Sequence, residues 1–280
     1  MSEVRKQNIF GWWTTGRDDA AIELFETVRK AIINGIIPGR ISYAFMSREP
    51  GESVVSDRLK QLMEKASVPV VAFSALKFKP ELRKQNRDAW RKEYHHEVLK
   101  RISPYKADVV VLAGYMWVVS PETCQRLNII NLHPAAPDGP AGTWQEVIWQ
   151  LLEQRADYTG VMMHLVTPEL DKGPPVTYCL FSIKGPAWDE LWNEFFELEK
   201  KMGMEGIKKK YGESLPIFAK IREEGVKREL PLIVYTLRSL AKGDISLENG
   251  KVLDAQGNIL TKPYDLTQSI EESLEMKLNE

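Results

Sequence analysis

Asp108-Val-Val-Val-Leu-Ala-Gly114 is an apolar run without alternation, typical of a strand buried on both faces of a parallel sheet. Outward from it, residues 41–46 and 68–73 predict two further buried strands, and a helical stretch at residues 55–66 separates them. Because strands alternate with helices, the sequence predicts an α/β fold. We expect a Rossmann-like, mostly parallel twisted sheet with helices on both faces.

The segment Asn128-Ile-Ile-Asn-Leu-His-Pro134 predicts another strand, which Pro134 ends. Residues i and i+2 of a strand point to the same side, so Asn131 and His133 are expected to face one reacting centre. Polar residues are common at strand ends, and a purely structural role for the pair is the alternative interpretation.

A second strand-like run, Gly160-Val-Met-Met-His-Leu-Val166, leads into a turn that carries Asp171. An amide, an imidazole and a carboxylate suit a reaction that builds negative charge on a carbonyl oxygen while a proton moves. Since no nucleophilic Ser or Cys accompanies Asn131, His133 and Asp171, direct attack by a substrate amine is expected. His164 is interpreted as a buried, hydrogen-bonded residue and not as a catalyst.

These stretches resemble the folate-dependent formyltransferase family, most closely its phosphoribosylglycinamide formyltransferases. The family's Asn-x-His-Pro element and downstream Asp form its catalytic trio, which implies Asn131, His133 and Asp171 as catalytic residues here. The resemblance covers residues 8–185 as a formyltransferase domain. Residues 186–280 are expected to be a C-terminal helical and hairpin extension packed on the same domain.

The resemblance also implies 10-formyltetrahydrofolate as co-substrate, because residues 107–120 match the family's strand and loop that hold the pterin. The implied pterin-binding residues are Gly114, Tyr115, Met116, Trp117, Val118 and Val119. Ligands of open α/β sheets bind beyond the carboxyl ends of strands, so this loop and the strand with Asn131 are expected to line one cleft.

A strand, a glycine turn and a helix start at residues 8–19 predict an anion site, because unpaired N–H groups and the helix dipole favour phosphate there. The family binds its substrate phosphate at this place, which implies Thr15, Gly16 and Arg17 as phosphate-binding residues. The loop departs from the family's Gly-Ser-Gly-Ser-Asn pattern. Asp18 would oppose a phosphate unless it faces away as a helix cap.

The acceptor side of the predicted site also departs from the family. The position of the family's acceptor-binding Glu, shortly before a late proline, is Val226 in this chain, with Glu224 and Glu229 nearby. The loop after Pro134 lacks the family's usual Ser-Leu-Leu-Pro. The resemblance implies formyl transfer to the primary amine of phosphoribosylglycinamide in de novo purine biosynthesis.

Three alternatives stay open at this point. The acceptor is another amine, such as that of an amino-sugar nucleotide or a methionyl-tRNA; or it is water, in a formyltetrahydrofolate hydrolase; or the protein binds folate without catalysis. The resemblance implies added domains in a hydrolase or a tRNA formyltransferase. Three filled catalytic positions disfavour a binder that has lost catalysis.

Composition excludes several function classes. The chain has 280 residues, of which 43% are hydrophobic and 28% charged, with a formal net charge of -1. This balance gives no electrostatic reason to expect a nucleic-acid or membrane partner, and no apolar run approaches the roughly 20 residues that span a bilayer. We expect a cytoplasmic protein, monomeric or homodimeric, that acts on small molecules.

Residues with metal-ligand chemistry do not form a recognisable metal motif. Cys124 and Cys179 lie far apart among apolar neighbours and are interpreted as reduced packing residues. His95 and His96 are adjacent in a helical stretch and do not share a face, so no zinc site is predicted. They are interpreted as surface residues.

Overall fold

The computed structural model describes residues 6–169 and 172–278. The strands are β1 (Ile9–Thr14), β2 (Arg40–Met46), β3 (Val70–Ala72), β4 (Val109–Leu112), β5 (Ile129–His133), β6 (Tyr158–Leu165), β7 (Pro175–Ser182), β8 (Ile245–Glu248), β9 (Lys251–Asp254) and β10 (Tyr264–Asp265). The α-helices are α1 (Asp19–Ile33), α2 (Val54–Lys65), α3 (Pro80–Gln85), α4 (Arg87–Ile102), α5 (Pro121–Arg126), α6 (Trp144–Gln154), α7 (Asp189–Tyr211), α8 (Pro216–Lys242) and α9 (Thr267–Leu278).

Within the described residues, eight strands form one sheet in the order β10-β7-β6-β5-β4-β1-β2-β3. β1 pairs in parallel with β2 and β4, β2 pairs in parallel with β3, and β4 pairs in parallel with β5. The mostly parallel sheet and its flanking helices confirm the predicted fold class. The register pairs Leu112 of β4 with Asn131 of β5.

The predicted C-terminal hairpin is formed by β8 and β9, which pair in antiparallel register. Its turn residues Asn249 and Gly250 both have positive φ, 50° and 73°. A two-residue turn of this kind requires positive φ at both positions, which Asn and Gly adopt most readily. The predicted edge strand and charged helix that follow correspond to β10 and α9.

The chain forms two compact units. The first takes in the described residues of Met1–Leu132, His164–Val176 and Ile233–Tyr264. Its core includes a cluster of buried aromatic side chains: Trp13, Tyr43, Phe45, Trp90, Tyr94 and Tyr115. The Trp13 ring packs edge to face against the rings of Phe45 and Tyr115, with centroids 5.2 and 5.6 Å away. Such large rings bury much apolar surface when they pack in this way.

The second unit takes in the described residues of His133–Met163, Thr177–Leu232 and Asp265–Glu280. Its core joins α6 to α7 and α8 through apolar side chains that include Val147, Phe195 and Phe218. α6 begins with a capping box, in which Thr143 and Glu146 satisfy each other's backbone N–H groups. The predicted division of the chain at residues 185 and 186 stays a prediction.

Among the residues that the structure describes, no helix combines the length and the apolar character needed to cross a bilayer.

Candidate active site

Strand β5 carries two of the predicted catalytic residues. Asn131 is half-buried in this strand, and His133 is the last residue of the strand with only 4% of its surface exposed. Their spacing of two residues gives both side chains the same face of a regular strand. The Nε2 atom of His133 lies 3.4 Å from the carbonyl oxygen of Pro140, in the loop that leads to α6.

Asn131 lies beside His164, which is predicted to be a buried, hydrogen-bonded residue without a catalytic role. The Nδ2 atom of Asn131 is 3.4 Å from Nε2 of His164, and Nδ1 of His164 is 2.9 Å from the carbonyl oxygen of Leu165. A carbonyl oxygen only accepts, so Nδ1 of His164 carries a proton and donates to it. With Nδ1 as the one protonated nitrogen of the ring, Nε2 of His164 accepts from the Asn131 amide and orients it.

The third predicted catalytic residue, Asp171, lies outside the described residues. The chain on either side of it is held by hydrogen bonds to backbone carbonyl groups: Leu165 N donates to the carbonyl oxygen of Pro174 at 3.0 Å. The Thr167 hydroxyl donates to the carbonyl oxygen of Glu169, also at 3.0 Å. A Cβ atom placed on Gly173 would lie 1.6 Å from the Leu165 carbonyl oxygen, so only glycine fits at that position.

A cavity of about 310 Å³ lies in the first unit beside Asn131. It is lined by Leu112, Tyr115, Met116, Trp117, Val118, Val119, Asn131, His164, Val166 and Thr167. Five of the six residues predicted to bind pterin therefore share one cavity with Asn131. The sixth, Gly114, is where the chain turns out of β4, with a φ of 69°.

This cavity has the character of a site for a flat heterocycle. Its walls are mostly apolar and aromatic, with an amide and an imidazole as polar groups, and its volume falls at the small end of the usual range for ligand sites. The Nε1 atom of Trp117 is buried and has no hydrogen-bond partner among the described residues. A pterin, which is planar and rich in hydrogen-bonding groups, fits such a lining.

The predicted phosphate-binding residues are engaged with the protein itself. The Thr15 hydroxyl lies 2.9 Å from the Ser47 hydroxyl and accepts from the backbone N–H of Met116 at 3.0 Å. Gly16 N donates to the Thr14 hydroxyl at 3.1 Å. The exposed Arg17 pairs with its neighbour Asp18 at 3.0 Å. These contacts do not support a phosphate site at the turn, which stays a prediction.

The two glutamates near the family's acceptor position are also paired. Glu224 accepts from Arg228 at 2.8 Å and pairs with Lys220 and Lys227, both at 2.9 Å. Burial alone would raise the pKa of Glu224, but hydrogen bonds from these three cations outweigh burial and lower its pKa to about 2. Glu229 pairs with Arg222 at 2.5 Å.

His95 corrects one expectation: it is fully buried in α4 and is not a surface residue, whereas His96 is exposed. His95 shares a helical stripe with Val98 and Ile102, and this i, i+3, i+7 spacing is the sequence signal that points to its burial.

No group of His, Cys, Asp and Glu with metal-binding geometry occurs within the described part of the chain.

A larger cavity of about 900 Å³ lies along α4 and α5, away from Asn131. Ion pairs between Lys79 and Glu93 and between Lys92 and Glu122 neutralise much of its charge. None of the predicted site residues lines it, so the smaller cavity is the better candidate for the site.

Residues 53–202 match the family model described as "Formyl transferase". The chain is 27% identical to phosphoribosylglycinamide formyltransferase of Schizosaccharomyces pombe over 158 residues, which cover 54% of this chain and 73% of that protein. It is 30% identical to formyltetrahydrofolate deformylase of Escherichia coli over 120 residues, which cover 42% of this chain and 38% of that protein.

Solved structures share the fold. Phosphoribosylglycinamide formyltransferase from Coxiella burnetii has a TM-score of 0.64 and 17% identity, covering 93% of this chain and 99% of that one. Glycinamide ribonucleotide transformylase 1 from Symbiobacterium toebii has a TM-score of 0.59 and 19% identity, covering 91% and 94%. At these identities the likeness shows the fold alone.

Proposed function

Because the chain belongs to the formyl transferase family, we propose that it transfers a formyl group from 10-formyltetrahydrofolate to the primary amine of phosphoribosylglycinamide, a step of de novo purine biosynthesis. The proposal draws on the matched family and on relatives that are phosphoribosylglycinamide formyltransferases.

The observation that carries the proposal is the cavity that joins loop 114–119 to Asn131. The aromatic and apolar loop offers a wall for the pterin, and the Asn131 amide, oriented by His164, offers a hydrogen-bond donor at the same cavity. A donor fixed in advance is what a developing oxyanion needs, because it pays no reorganisation cost during the reaction.

In the proposed mechanism, bound 10-formyltetrahydrofolate supplies an activated formyl carbon. Asn131 donates a hydrogen bond to the formyl oxygen while the substrate amine attacks and that oxygen gains negative charge. His133 accepts the proton that the amine loses, and Asp171 stabilises the resulting imidazolium. The new bond joins the amine nitrogen to the formyl carbon. The bond between the formyl carbon and folate N10 breaks, and His133 delivers the proton taken from the amine to N10.

Hydrolysis of formyltetrahydrofolate is the second candidate. Two observations support it. The Thr15 hydroxyl and the Gly16 N–H already have hydrogen-bond partners within the protein, and Val226 stands where the family has its acceptor-binding Glu. Neither departure matters for hydrolysis, because water as the formyl acceptor needs no phosphate site and no Glu. The same Asn131 and His133 would serve, with water as the nucleophile.

The deciding experiment incubates the purified protein with 10-formyltetrahydrofolate alone, with phosphoribosylglycinamide, and with a panel of other primary amines. Tetrahydrofolate release that depends on phosphoribosylglycinamide and yields its formamide is the expected result. Release that is independent of any amine and yields formate would establish the hydrolase, and folate binding without release would contradict both enzymes.

A further inference from the structure

The buried side chains of His95 and Tyr115 join helix α4 to loop 114–119. Nε2 of His95 lies 3.1 Å from the Tyr115 hydroxyl, and Nδ1 of His95 lies 2.9 Å from the carbonyl oxygen of Arg91, one helical turn earlier. His95 is fully buried, and Tyr115 is only 8% exposed. Burial leaves both groups little access to water as an alternative hydrogen-bond partner.

The direction of this hydrogen bond follows from the chemistry of its two ends. The Arg91 carbonyl oxygen only accepts, so the proton of neutral His95 belongs on Nδ1 and Nε2 carries a lone pair. The Tyr115 hydroxyl therefore donates to Nε2. Burial lowers the pKa of His95 to about 4; the Arg91 carbonyl opposes this shift and the Arg91 charge adds to it. His95 is thus uncharged near neutral pH and keeps that lone pair.

Packing around the pair leaves the Tyr115 ring little freedom. The ring of His95 stacks on that of Trp13, with centroids 6.3 Å apart and an interplanar angle of 13°. Trp13 also packs edge-on against Tyr115, with centroids 5.6 Å apart. The Tyr94 hydroxyl, which donates to the carbonyl oxygen of Phe73 at 2.8 Å, lies against the Tyr115 hydroxyl.

Loop 114–119 is tied on its other side through its backbone. Met116 N donates to the Thr15 hydroxyl, and Thr15 N donates to the carbonyl oxygen of Gly114 at 3.1 Å. The Met116 side chain is 52% exposed, so it does not anchor the loop. The buried side chain of Tyr115 therefore anchors the start of loop 114–119 to the core, and His95 holds the hydroxyl group of Tyr115 in place.

We propose that His95 is a positioning residue for co-substrate binding: through Tyr115 it sets the shape of the cavity wall formed by loop 114–119. This proposal rests on the proposed function, which assigns that cavity to the pterin. His95 itself does not line the cavity. Its effect is expected on the affinity for 10-formyltetrahydrofolate and not on the chemical step.

The test compares His95→Phe, Tyr115→Phe and the double variant in steady-state kinetics and in backbone amide hydrogen exchange without ligand. Each single variant is expected to raise the KM for 10-formyltetrahydrofolate about fivefold, the effect of one neutral hydrogen bond, with kcat nearly unchanged. The double variant is expected to resemble the single variants, because both remove the same bond. Exchange at residues 114–119 is expected to accelerate.

His96→Phe is the matched control, because it makes the same substitution one residue away on the exposed face of α4. His95→Gln is expected to restore most of the affinity, since its amide oxygen accepts from Tyr115. If His95→Phe does not fold, His95→Gln and Tyr115→Phe still carry the test. Unchanged KM and unchanged loop exchange in Tyr115→Phe would overturn the proposal, as would a loss confined to kcat.

Failure of the proposed function is distinguishable from failure of this inference. If the wild-type protein transfers no formyl group, the proposed function is rejected. Amide hydrogen exchange at residues 114–119 in the ligand-free variants still decides whether His95 fixes the loop.

Discussion

Nδ2 of Asn131 lies 3.4 Å from Nε2 of His164, at the wall of a cavity that loop 114–119 also lines. The contact joins a predicted catalytic amide to a histidine that is predicted to be non-catalytic. Two of the following predictions concern this pair.

Replacing Asn131 by Ala is expected to lower kcat about 100- to 1000-fold, the typical cost of removing one oxyanion donor. The thermal midpoint is expected to change little, because Asn131 is half-buried and its contact with His164 is long. Single-turnover kinetics and thermal unfolding of the same preparations measure both quantities.

Asn128→Ala is the matched control for Asn131→Ala, because the Asn128 amide donates to the carbonyl oxygen of Leu247 at 3.0 Å and does not line the cavity. This variant is expected to lose about 1 kcal/mol of stability and to keep its turnover. Normal turnover in Asn131→Ala would refute its assigned role.

His164→Leu is expected to lower kcat about tenfold, because the Asn131 amide loses the acceptor that orients it, an effect comparable to one hydrogen bond. The test is a double-mutant cycle with Asn131→Ala. Once the amide is gone its orientation no longer matters, so the double variant is expected to match Asn131→Ala alone. Fully additive losses would mean that His164 acts independently of Asn131.

Gly173→Ala is expected to destabilise the protein by about 3 kcal/mol, the upper part of the range for overpacking. The new Cβ would lie 1.6 Å from the Leu165 carbonyl oxygen and would force the chain next to Asp171 to move. Turnover is expected to fall as well. Chemical denaturation measures the first effect and formyl-transfer kinetics the second.

Gly225→Ala is the control for this substitution, because a Cβ on Gly225 meets nothing within 4 Å and the residue lies inside α8. It is expected to stabilise the protein by up to about 1 kcal/mol, as alanine is the better helix former. Equal stability of the two alanine variants would contradict the steric argument.

Stability is expected to fall between pH 4.5 and pH 2 through Glu224. Its pKa of about 2 in the folded protein lies below the ordinary value of 4.5, so its contribution is complete above pH 4.5 and is lost as pH falls toward 2. The contribution is about 1–3 kcal/mol. Denaturation of wild-type protein and Glu224→Gln across this range measures it.

The Glu224→Gln variant is expected to show a flatter pH dependence, because the amide does not titrate. Glu190→Gln replaces an exposed glutamate of α7 and is expected to keep the wild-type pH profile. Parallel profiles for wild type and Glu224→Gln would show that the cations around Glu224 do not stabilise its charge.

Apolar strand segments made much of the fold predictable. β4 is a continuous apolar run that is buried throughout, and such runs are typical of central strands in a parallel sheet. The second half of β2, residues 43–46, is buried in the same way. Asn131 could be singled out as a candidate site residue because it interrupts an apolar run with an amide. The contact between Asn131 and His164 could not be predicted from local sequence, because the two residues are 33 positions apart.

Other features depended on contacts that local sequence does not contain. Thr15 lies in a turn that is typical of anion sites, yet its hydroxyl faces Ser47 and Met116, which are 32 and 101 residues away. His95 lies in a helix in which half of the residues are charged, and these obscure its apolar stripe. Burial of its ring requires the aromatic cluster around Trp13 and Tyr115, which only the folded chain brings together.

The side chain of Gln7 pairs with both backbone groups of Leu247, donating to its carbonyl oxygen and accepting from its N–H, each at 2.8 Å. These partners stand 240 residues apart. During synthesis, the side chain of Gln7, just before β1, cannot form these two hydrogen bonds until Leu247 of β8 has left the ribosome. This contact of the first unit therefore forms only after Leu247 has been synthesised, 240 residues after Gln7, so the first unit cannot complete its packing before β8 is made.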